Sequence, residues 1–306
     1  AKVDKILTQF SQFYTNTNYI SEAILPTLKV KEKTGKFARY GKENLRVYAD
    51  QTFRAPGTRA NEVDYTVSQG DYICKEHSLE KGVPDEFLNN TDDPYDPKRD
   101  AVAVLMDNIW VNQERALQQA LTSTAVISTN NTTLSGTSQW SDYDNSDPFD
   151  DISVAIEAVR SSTGQRPNVM VLCNDVWVKL KYHPDVREQL KYTNGGQLGE
   201  ASLGMFLKDF FNLQEVLVGS AVMNSADEGQ ADSISDIWTK DAWLMSRNAK
   251  PSLMKASFGA TLADVPRQVD TYREESHVRD VVRVRYSYDQ NLHDQSLCYL
   301  IKAAIA

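Results

Sequence analysis

The stretch from Gly164 to Lys191 is the first place in this sequence to look for chemistry, because it joins an apolar strand to a helix. It reads GQRPNVMVLCNDVWVKLKYHPDVREQLK, and active-site groups often stand at such junctions of α/β units. A nucleophile elbow would need Gly-x-Ser-x-Gly here, and a phosphate-binding loop would need Gly-x-x-x-x-Gly-Lys-Ser/Thr. Neither pattern occurs anywhere in the chain. The acids of this stretch, Asp175 and Glu188, have no recognisable partner, so the sequence disfavours a hydrolase.

Thiols and imidazoles offer no better candidate. The three cysteines lie 99 and 125 residues apart without a Cys-x-x-Cys pair, and Cys173 and Cys298 stand inside apolar runs, so we expect buried structural thiols. The four histidines are equally scattered, without a neighbouring nucleophile or second ligand: His77, His183, His277 and His293. The sequence therefore predicts no catalytic residue, no metal site and no cofactor, and a protein that is not an enzyme.

Bulk composition points to an ordinary soluble globular chain. It has 306 residues, 41% of them hydrophobic and 25% charged. No apolar run approaches the roughly 18–20 residues of a membrane span, and the opening AKVDKILTQFSQFY has no secretory h-region. Synthesis in the cytosol is the expectation.

Charge is distributed unevenly along the chain. Residues 1–60 hold 11 Lys and Arg against 5 Asp and Glu, while the remainder holds 22 against 37. A basic end on an acidic body suits contact between copies, in which the basic part of one copy lies on the acidic face of the next. Two solvated surfaces of opposite sign and a nucleic-acid-binding end are the alternatives.

The basic residues of this first part alternate with aromatic ones in a predicted long hairpin, Thr34 to Glu80. Ala55-Pro56-Gly57 is typical of a loop, and Asp71–Glu80 is the predicted return strand. An isolated hairpin is marginally stable in water, so we expect this one to dock on another surface. The basic side chains that would make the contact are Lys36, Arg39, Lys42, Arg46, Arg54 and Arg59.

A long helix follows, from Lys98 to about Ser123. Apolar residues at helical spacing form one face, and Asp107, Glu114 and Gln118 are among the polar residues assigned to the other. About 26 residues at 1.5 Å each make a rod of roughly 39 Å. The residues Ala125–Ser128 after it are predicted to form a strand.

The second half alternates strands and helices. Val169–Cys173 is predicted to be a covered strand, with Asn174 or Asp175 capping the next helix. Strict alternation from Val282 to Tyr288 predicts a strand buried on one face, and Leu297–Lys302 a last apolar strand. Asp150–Ser162 and Leu203–Phe211 are predicted helices and Glu215–Val222 a strand.

This order of elements resembles the major capsid proteins of tailed phages with the HK97-like fold. The phrases that carry the resemblance are RPNVMVLCNDVWVKLKYHPDVREQLK, the ending RDVVRVRYSYDQNLHDQSLCYLIKAAI, and ARYGKENLRV at the base of the hairpin. The resemblance implies an α+β fold made of an N-terminal arm (1–33), an E-loop hairpin (34–92), a peripheral domain with a spine helix (93–145 and 261–306) and an α/β axial domain (146–260).

The resemblance also implies a function in the virion. Copies would form the pentamers and hexamers of an icosahedral shell around double-stranded DNA, assembled in the host cytoplasm with possible scaffolding, portal and decoration proteins. Some members cross-link a hairpin Lys to an Asn near the closing strands, but no Asn occurs between Asn248 and Asn291, so a non-covalent shell is expected. A nucleic-acid-binding protein and a nanocompartment shell of the same fold remain the alternatives.

Overall fold

A computed structural model describes residues 2–13, 19–40, 52–62, 67–89, 96–194, 200–226, 229–248 and 257–306. These residues form eight α-helices: α1 (Lys5–Phe13), α2 (Ser21–Ile24), α3 (Asp85–Asn89), α4 (Pro97–Thr122), α5 (Pro148–Thr163), α6 (Asn174–Tyr182), α7 (Pro184–Asn194) and α8 (Glu200–Phe211). The strands are β1 (Lys2–Val3), β2 (Thr27–Lys29), β3 (Thr34–Tyr40), β4 (Val67–Ile73), β5 (Lys75–Pro84), β6 (Asn131–Thr133), β7 (Val169–Cys173), β8 (Glu215–Gly219), β9 (Val222–Asn224), β10 (Ile234–Asp236), β11 (Ala242–Met245), β12 (Gly259–Glu274), β13 (Arg279–Leu292) and β14 (Cys298–Lys302).

The first sheet has the strand order β1-β12-β13-β5, with β2 added in parallel to β12. Its core face is the alternating run of β13: Val282, Val284, Tyr286 and Tyr288 are all buried, against Met106 and other residues of α4. The prediction of a strand buried on one face is confirmed from Val282 to Tyr286, whereas Ser287, on the other face, is also buried. The sequence did not reveal its neighbour β12, because two register shifts between Ala263 and Gln268 interrupt the period of two.

Helix α4 crosses this sheet and continues to the second one. Asp96 caps its start by accepting hydrogen bonds from the backbone N–H groups of Lys98 and Arg99, and Pro97 occupies the first turn. The helix is 26 residues long, as predicted within one residue at each end. The assignment of Glu114 and Gln118 to the solvent face was wrong, since both are buried.

The second sheet has the strand order β6-β14-β11-β7-β8. All of β7 is buried, which confirms the covered strand, and Val176, Trp177 and Leu180 of α6 face the core as predicted. The predicted helix cap was wrong: Asn174 already belongs to α6, and Cys173 at the N-cap makes no side-chain hydrogen bond to the helix. Helix α5 ends at Gly164, which adopts the left-handed conformation with φ of 76°.

The predicted strand Ala125–Ser128 was also wrong. The backbone N–H groups of Val126 and Ile127 both bond to the carbonyl oxygen of Ser123, so the chain turns at the end of α4 instead of extending. Ile127 is nevertheless fully buried, because this turn packs into the core of the second sheet. The strand pairing follows later, in β6, which runs parallel to β14.

The N-terminal segment lies on its own subunit over the described part of its length. Strand β1 pairs with β12, and Leu7 of α1 is buried against the first sheet. The carboxylate of Glu114 accepts hydrogen bonds from the backbone N–H groups of Ile20 (3.0 Å) and Ser21 (2.8 Å). Residues 2–13 and 19–30 are therefore held on the body of the same chain.

Candidate assembly surface

The hairpin predicted from the sequence is present and starts at the edge of the first sheet. Its strands β3 and β4 are antiparallel, with Thr34 opposite Ile73 and Tyr40 opposite Val67. The return strand lies earlier than the predicted Asp71–Glu80. The reason is that Lys75–Pro84 pairs with β13 instead, so the chain leaves the hairpin at Cys74 and enters the first sheet.

Polar and aromatic contacts fix the base of the hairpin to the body. The ring of Phe37 lies 4.4 Å from that of His293, measured between centroids. The side-chain amide of Asn291 donates to the carbonyl oxygen of Asp71 at 3.2 Å, and the backbone N–H of Cys74 donates to the carbonyl oxygen of Lys33 at 2.8 Å. The contacts from His293 and Asn291 attach the hairpin to the end of β13 and the residue after it, and the bond from Cys74 to Lys33 closes the base of the hairpin itself.

Residues 52–62 between the two strands are exposed throughout. Ala55-Pro56-Gly57 forms the predicted turn, in which Gly57 has φ of 82° and the backbone N–H of Thr58 bonds to the carbonyl oxygen of Ala55. Phe53 is 80% exposed. The loop therefore exposes one aromatic side chain next to the basic Arg54.

The six predicted contact residues fall into three groups. Lys36, Arg54 and Arg59 are exposed, on β3 and on the 52–62 loop. Arg39 lies on β3 opposite Ser68, and nothing is described of its side chain. Lys42 and Arg46 lie outside the described residues.

The only ion pair recorded for these six among the described residues joins Arg59 to Glu62 at 3.2 Å. Both side chains are more than 80% exposed, so the pair contributes little to stability. Arg59 can therefore exchange this partner for a carboxylate on another molecule at small cost.

One constellation that the sequence did not reveal brings Ser, His and Asp together in the second half of the chain. The Nε2 atom of the buried His183 lies 3.1 Å from Oγ of Ser146, and its Nδ1 lies 3.6 Å from Oδ2 of Asp185. The Ser146 hydroxyl donates to the carbonyl oxygen of Asp142 at 2.6 Å, so Nε2 of His183 must donate to Ser146. A donating Nε2 cannot accept the serine proton, and burial lowers the pKa of His183. Ser146 and His183 therefore form a structural hydrogen bond, and Asp185 makes no hydrogen bond to the ring.

The thiols are placed as predicted for structural residues. Cys74, Cys173 and Cys298 are free and buried, and burial raises the pKa of each thiol above its ordinary value. A thiol held in its protonated form is a poor nucleophile and a poor metal ligand. Within the described ranges, no three His, Cys, Asp or Glu side chains gather as metal ligands, and no helix has the length and apolar character to span a bilayer.

Comparison with known proteins places these features in a family context. The model of the family described as phage major capsid protein E matches residues 125–249. The major capsid protein of Burkholderia phage BcepMu is 29% identical over 238 residues, which are 77% of this chain and 73% of that protein. The family match contains β7 and α6 and leaves out the hairpin, so the likeness does not rest on the hairpin.

Solved structures extend the likeness over the whole chain. A phage-related protein from Bordetella bronchiseptica RB50 superposes with a TM-score of 0.79 at 26% identity, covering 99% of this chain and 98% of that one. The subunit of the mature capsid of bacteriophage PhiM1 superposes with a TM-score of 0.56 at 11% identity, covering 95% and 88%. At that identity the second likeness concerns the fold alone.

Proposed function

We propose, from the premise that this chain is a phage major capsid protein with the HK97-like fold, that its copies form the pentamers and hexamers of an icosahedral shell around double-stranded DNA. The observation that carries the proposal is the 29% identity to the major capsid protein of Burkholderia phage BcepMu over 77% of the chain, together with the capsid-family match over residues 125–249. The shell would assemble in the host cytoplasm, and its scaffolding, portal and decoration proteins are further proposed partners.

The two sheets suggest how the parts of such a subunit divide. We assign the first sheet and the N-terminal half of α4 to a peripheral domain, and the second sheet with α5 to α8 to an axial domain. Residues 1–33 are kept as the N-terminal arm, whose strands β1 and β2 pair with β12, and only residues 34–74 are kept as the E-loop, because β5 (Lys75–Pro84) belongs to the first sheet. Because β14 pairs with β11 and β6, we place residues 131–133 and 298–302 with the axial domain, which changes the division expected from the sequence.

Assembly on this proposal depends on many weak contacts between neighbouring copies. The basic residues Lys36, Arg39, Lys42, Arg46, Arg54 and Arg59 would meet acidic residues of the adjacent copy. One exposed ion pair contributes only about 0–1 kcal/mol, so the shell is held by the number of simultaneous contacts. This mechanism needs no isopeptide bond and no catalytic residue.

The net charge of −9 is consistent with a shell protein that binds the enclosed DNA only weakly. Proteins that bind DNA tightly neutralise phosphates with Lys and Arg, and their affinity falls steeply with salt. An acidic shell subunit would enclose DNA without sequence-specific contacts. A salt-dependent shift of labelled DNA by the purified subunit would instead favour the nucleic-acid-binding alternative.

Electron microscopy of the purified protein tests the proposal directly. Wild-type protein is expected to form closed shells in negative stain, and Arg39→Glu with Arg46→Glu is expected to leave folded, unassembled subunits. A matched control reverses two exposed charges on the second half, Lys179→Glu with Arg187→Glu, and should still assemble. Normal shells from the hairpin variant would contradict the proposed role of these residues, and nuclease-protected DNA in virions would separate a phage capsid from a nanocompartment.

A further inference from the structure

Negative charge is concentrated in residues 141–151, which comprise the segment before α5 and the first turn of α5 and are called the acidic loop. No Lys or Arg occurs between Arg115 and Arg160, whereas the loop itself carries five aspartates: Asp142, Asp144, Asp147, Asp150 and Asp151. Among the described residues, none of these five forms an ion pair. The acidic loop is therefore a concentration of negative charge that no basic side chain of the described residues neutralises.

Neutral donors hold the acidic loop in one conformation. Asp147 caps α5 by accepting from the backbone N–H groups of Phe149 and Asp150, and Asp151 accepts from the indole N–H of Trp140 at 2.8 Å. Burial and, to a smaller extent, the neighbouring Asp150 and Asp147 raise the pKa of Asp151. Repulsion between these carboxylates persists because, in the part of the chain that the structure describes, no Lys or Arg side chain pairs with them.

The buried imidazole of His183 contacts the acidic loop but does not neutralise its negative charge. His183 contacts Ser146 and the ring of Tyr143, and its Nδ1 has no hydrogen-bond partner among the described residues. Nδ1 faces Asp185 at 3.6 Å. Burial lowers the pKa of His183, while Asp185 and Asp147 oppose this, so the ring is neutral near pH 7 and does not balance the carboxylates.

An exposed aromatic group borders the acidic loop. Phe149 packs against Phe210 of α8 with ring centroids 5.1 Å apart, and Phe210 also contacts Phe206 and Phe211. Phe206 and Phe211 are buried, whereas Phe210 is 53% exposed. The acidic loop and Phe210 together form a surface, the acidic–aromatic surface, that offers carboxylates beside a half-exposed ring.

The 52–62 loop has the complementary chemistry. It presents the exposed Phe53 beside Arg54, with Arg59 on the other side of the turn. An exposed phenylalanine can pack against another aromatic ring, and the planar guanidinium of arginine can form two parallel hydrogen bonds to a carboxylate. Resting on the capsid function proposed above, we propose that the acidic–aromatic surface of one copy receives the 52–62 loop of a neighbouring copy.

Charge reversal tests this pairing. Asp144→Lys with Asp150→Lys is expected to lower the yield of shells at least tenfold, since each reversed contact is repeated throughout the particle. The matched control is Asp175→Lys with Asp236→Lys, which changes the net charge equally and also places one lysine in the first turn of a helix. The control should assemble like the wild type.

Restoring the complementarity provides the second arm. A fourfold variant combines Asp144→Lys and Asp150→Lys with Arg54→Asp and Arg59→Asp. This variant is expected to form shells again, whereas a variant with only one of the two pairs is expected not to form them. Normal shells from the variant with Asp144→Lys and Asp150→Lys would overturn the inference, but they would not contradict the proposed capsid function. Failure of the wild type to form shells would overturn the capsid function itself.

A disulfide reports the contact even if a charge variant folds poorly. Shells of a variant with Arg54→Cys and Asp144→Cys should yield covalent multimers on oxidation, because the three native cysteines are buried. Arg54→Cys with Asp236→Cys is the control and should remain monomeric on a non-reducing gel. Equal cross-linking of both variants, or none in either, would overturn the pairing of these two surfaces.

Discussion

Glu114 is the side chain whose removal should most clearly destabilise the subunit. Its carboxylate is buried inside α4 and joins three separate parts of the chain. It accepts hydrogen bonds from the backbone N–H groups of Ile20 and Ser21 and from the indole N–H of Trp238, at 3.0, 2.8 and 2.6 Å. Glu114→Ala would leave all three donors buried without an acceptor.

The size of the effect follows from these bonds. Each buried donor left unsatisfied costs about 1–3 kcal/mol, which would give roughly 6 kcal/mol for three. Removing a buried charge returns part of this cost, and water can enter the space left by the side chain. We therefore expect Glu114→Ala to lower the free energy of unfolding by about 3–4 kcal/mol. Glu114→Gln keeps one acceptor oxygen and should lose about 2 kcal/mol.

The pH dependence has a definite sign. Burial raises the pKa of Glu114 above its ordinary value of 4.5, and its three hydrogen bonds only partly oppose this. The contribution of Glu114 to stability is therefore greatest below pH 4.5 and falls as the pH rises through the higher folded-state pKa. The difference between the wild type and Glu114→Gln should grow as the pH is lowered from 7 to about 5.

Urea unfolding of unassembled subunits, followed by tryptophan fluorescence, measures both quantities. Gln119→Ala is the matched control, since Gln119 lies on the exposed face of the same helix and should change stability by less than about 0.5 kcal/mol. A loss below 1 kcal/mol for Glu114→Ala, about the value of one ordinary hydrogen bond, would refute the assignment of Glu114 as the acceptor that holds the N-terminal segment on α4.

Three further substitutions test other parts of the fold through the midpoint of thermal unfolding. Arg267→Ala should cost about 3 kcal/mol, because Arg267 is an ion-pair partner of Glu22 and lies 5.0 Å from the ring of Trp110; an unchanged midpoint would contradict this. Gly259→Ala should lower the free energy of unfolding by more than about 2 kcal/mol, a loss typical of overpacking in a core, because the added Cβ would lie 2.6 Å from a backbone oxygen. Gly204→Ala, with only a 3.8 Å neighbour, is its control and should not destabilise. Val278→Gly should raise the stability by about 1 kcal/mol, because Val278 has φ of 47°, and a lower midpoint would show that this conformation is not strained.

The sequence was sufficient to predict a helix or strand wherever apolar residues recur at a regular spacing. The alternation from Val282 to Tyr288, the apolar run Val169–Cys173 and the helical spacing after Asp96 each determine an element, because one repeating face must leave water. It failed where the period is broken. The bulges in β12 redirect the strand so that Arg267 reaches Trp110 and Tyr286, and no simple pattern marks such a strand.

Polar residues show the same division at the candidate surface. The basic character of the hairpin, the turn at Ala55-Pro56-Gly57 and the resemblance of the whole chain to phage capsid proteins could all be predicted, because composition and short-range order express them. The burial of Glu114, the network around His183 and the position of Phe210 beside the acidic loop could not. They depend on distant segments meeting, such as Trp238 with α4, and only tertiary packing decides whether a charged group loses its water or keeps it.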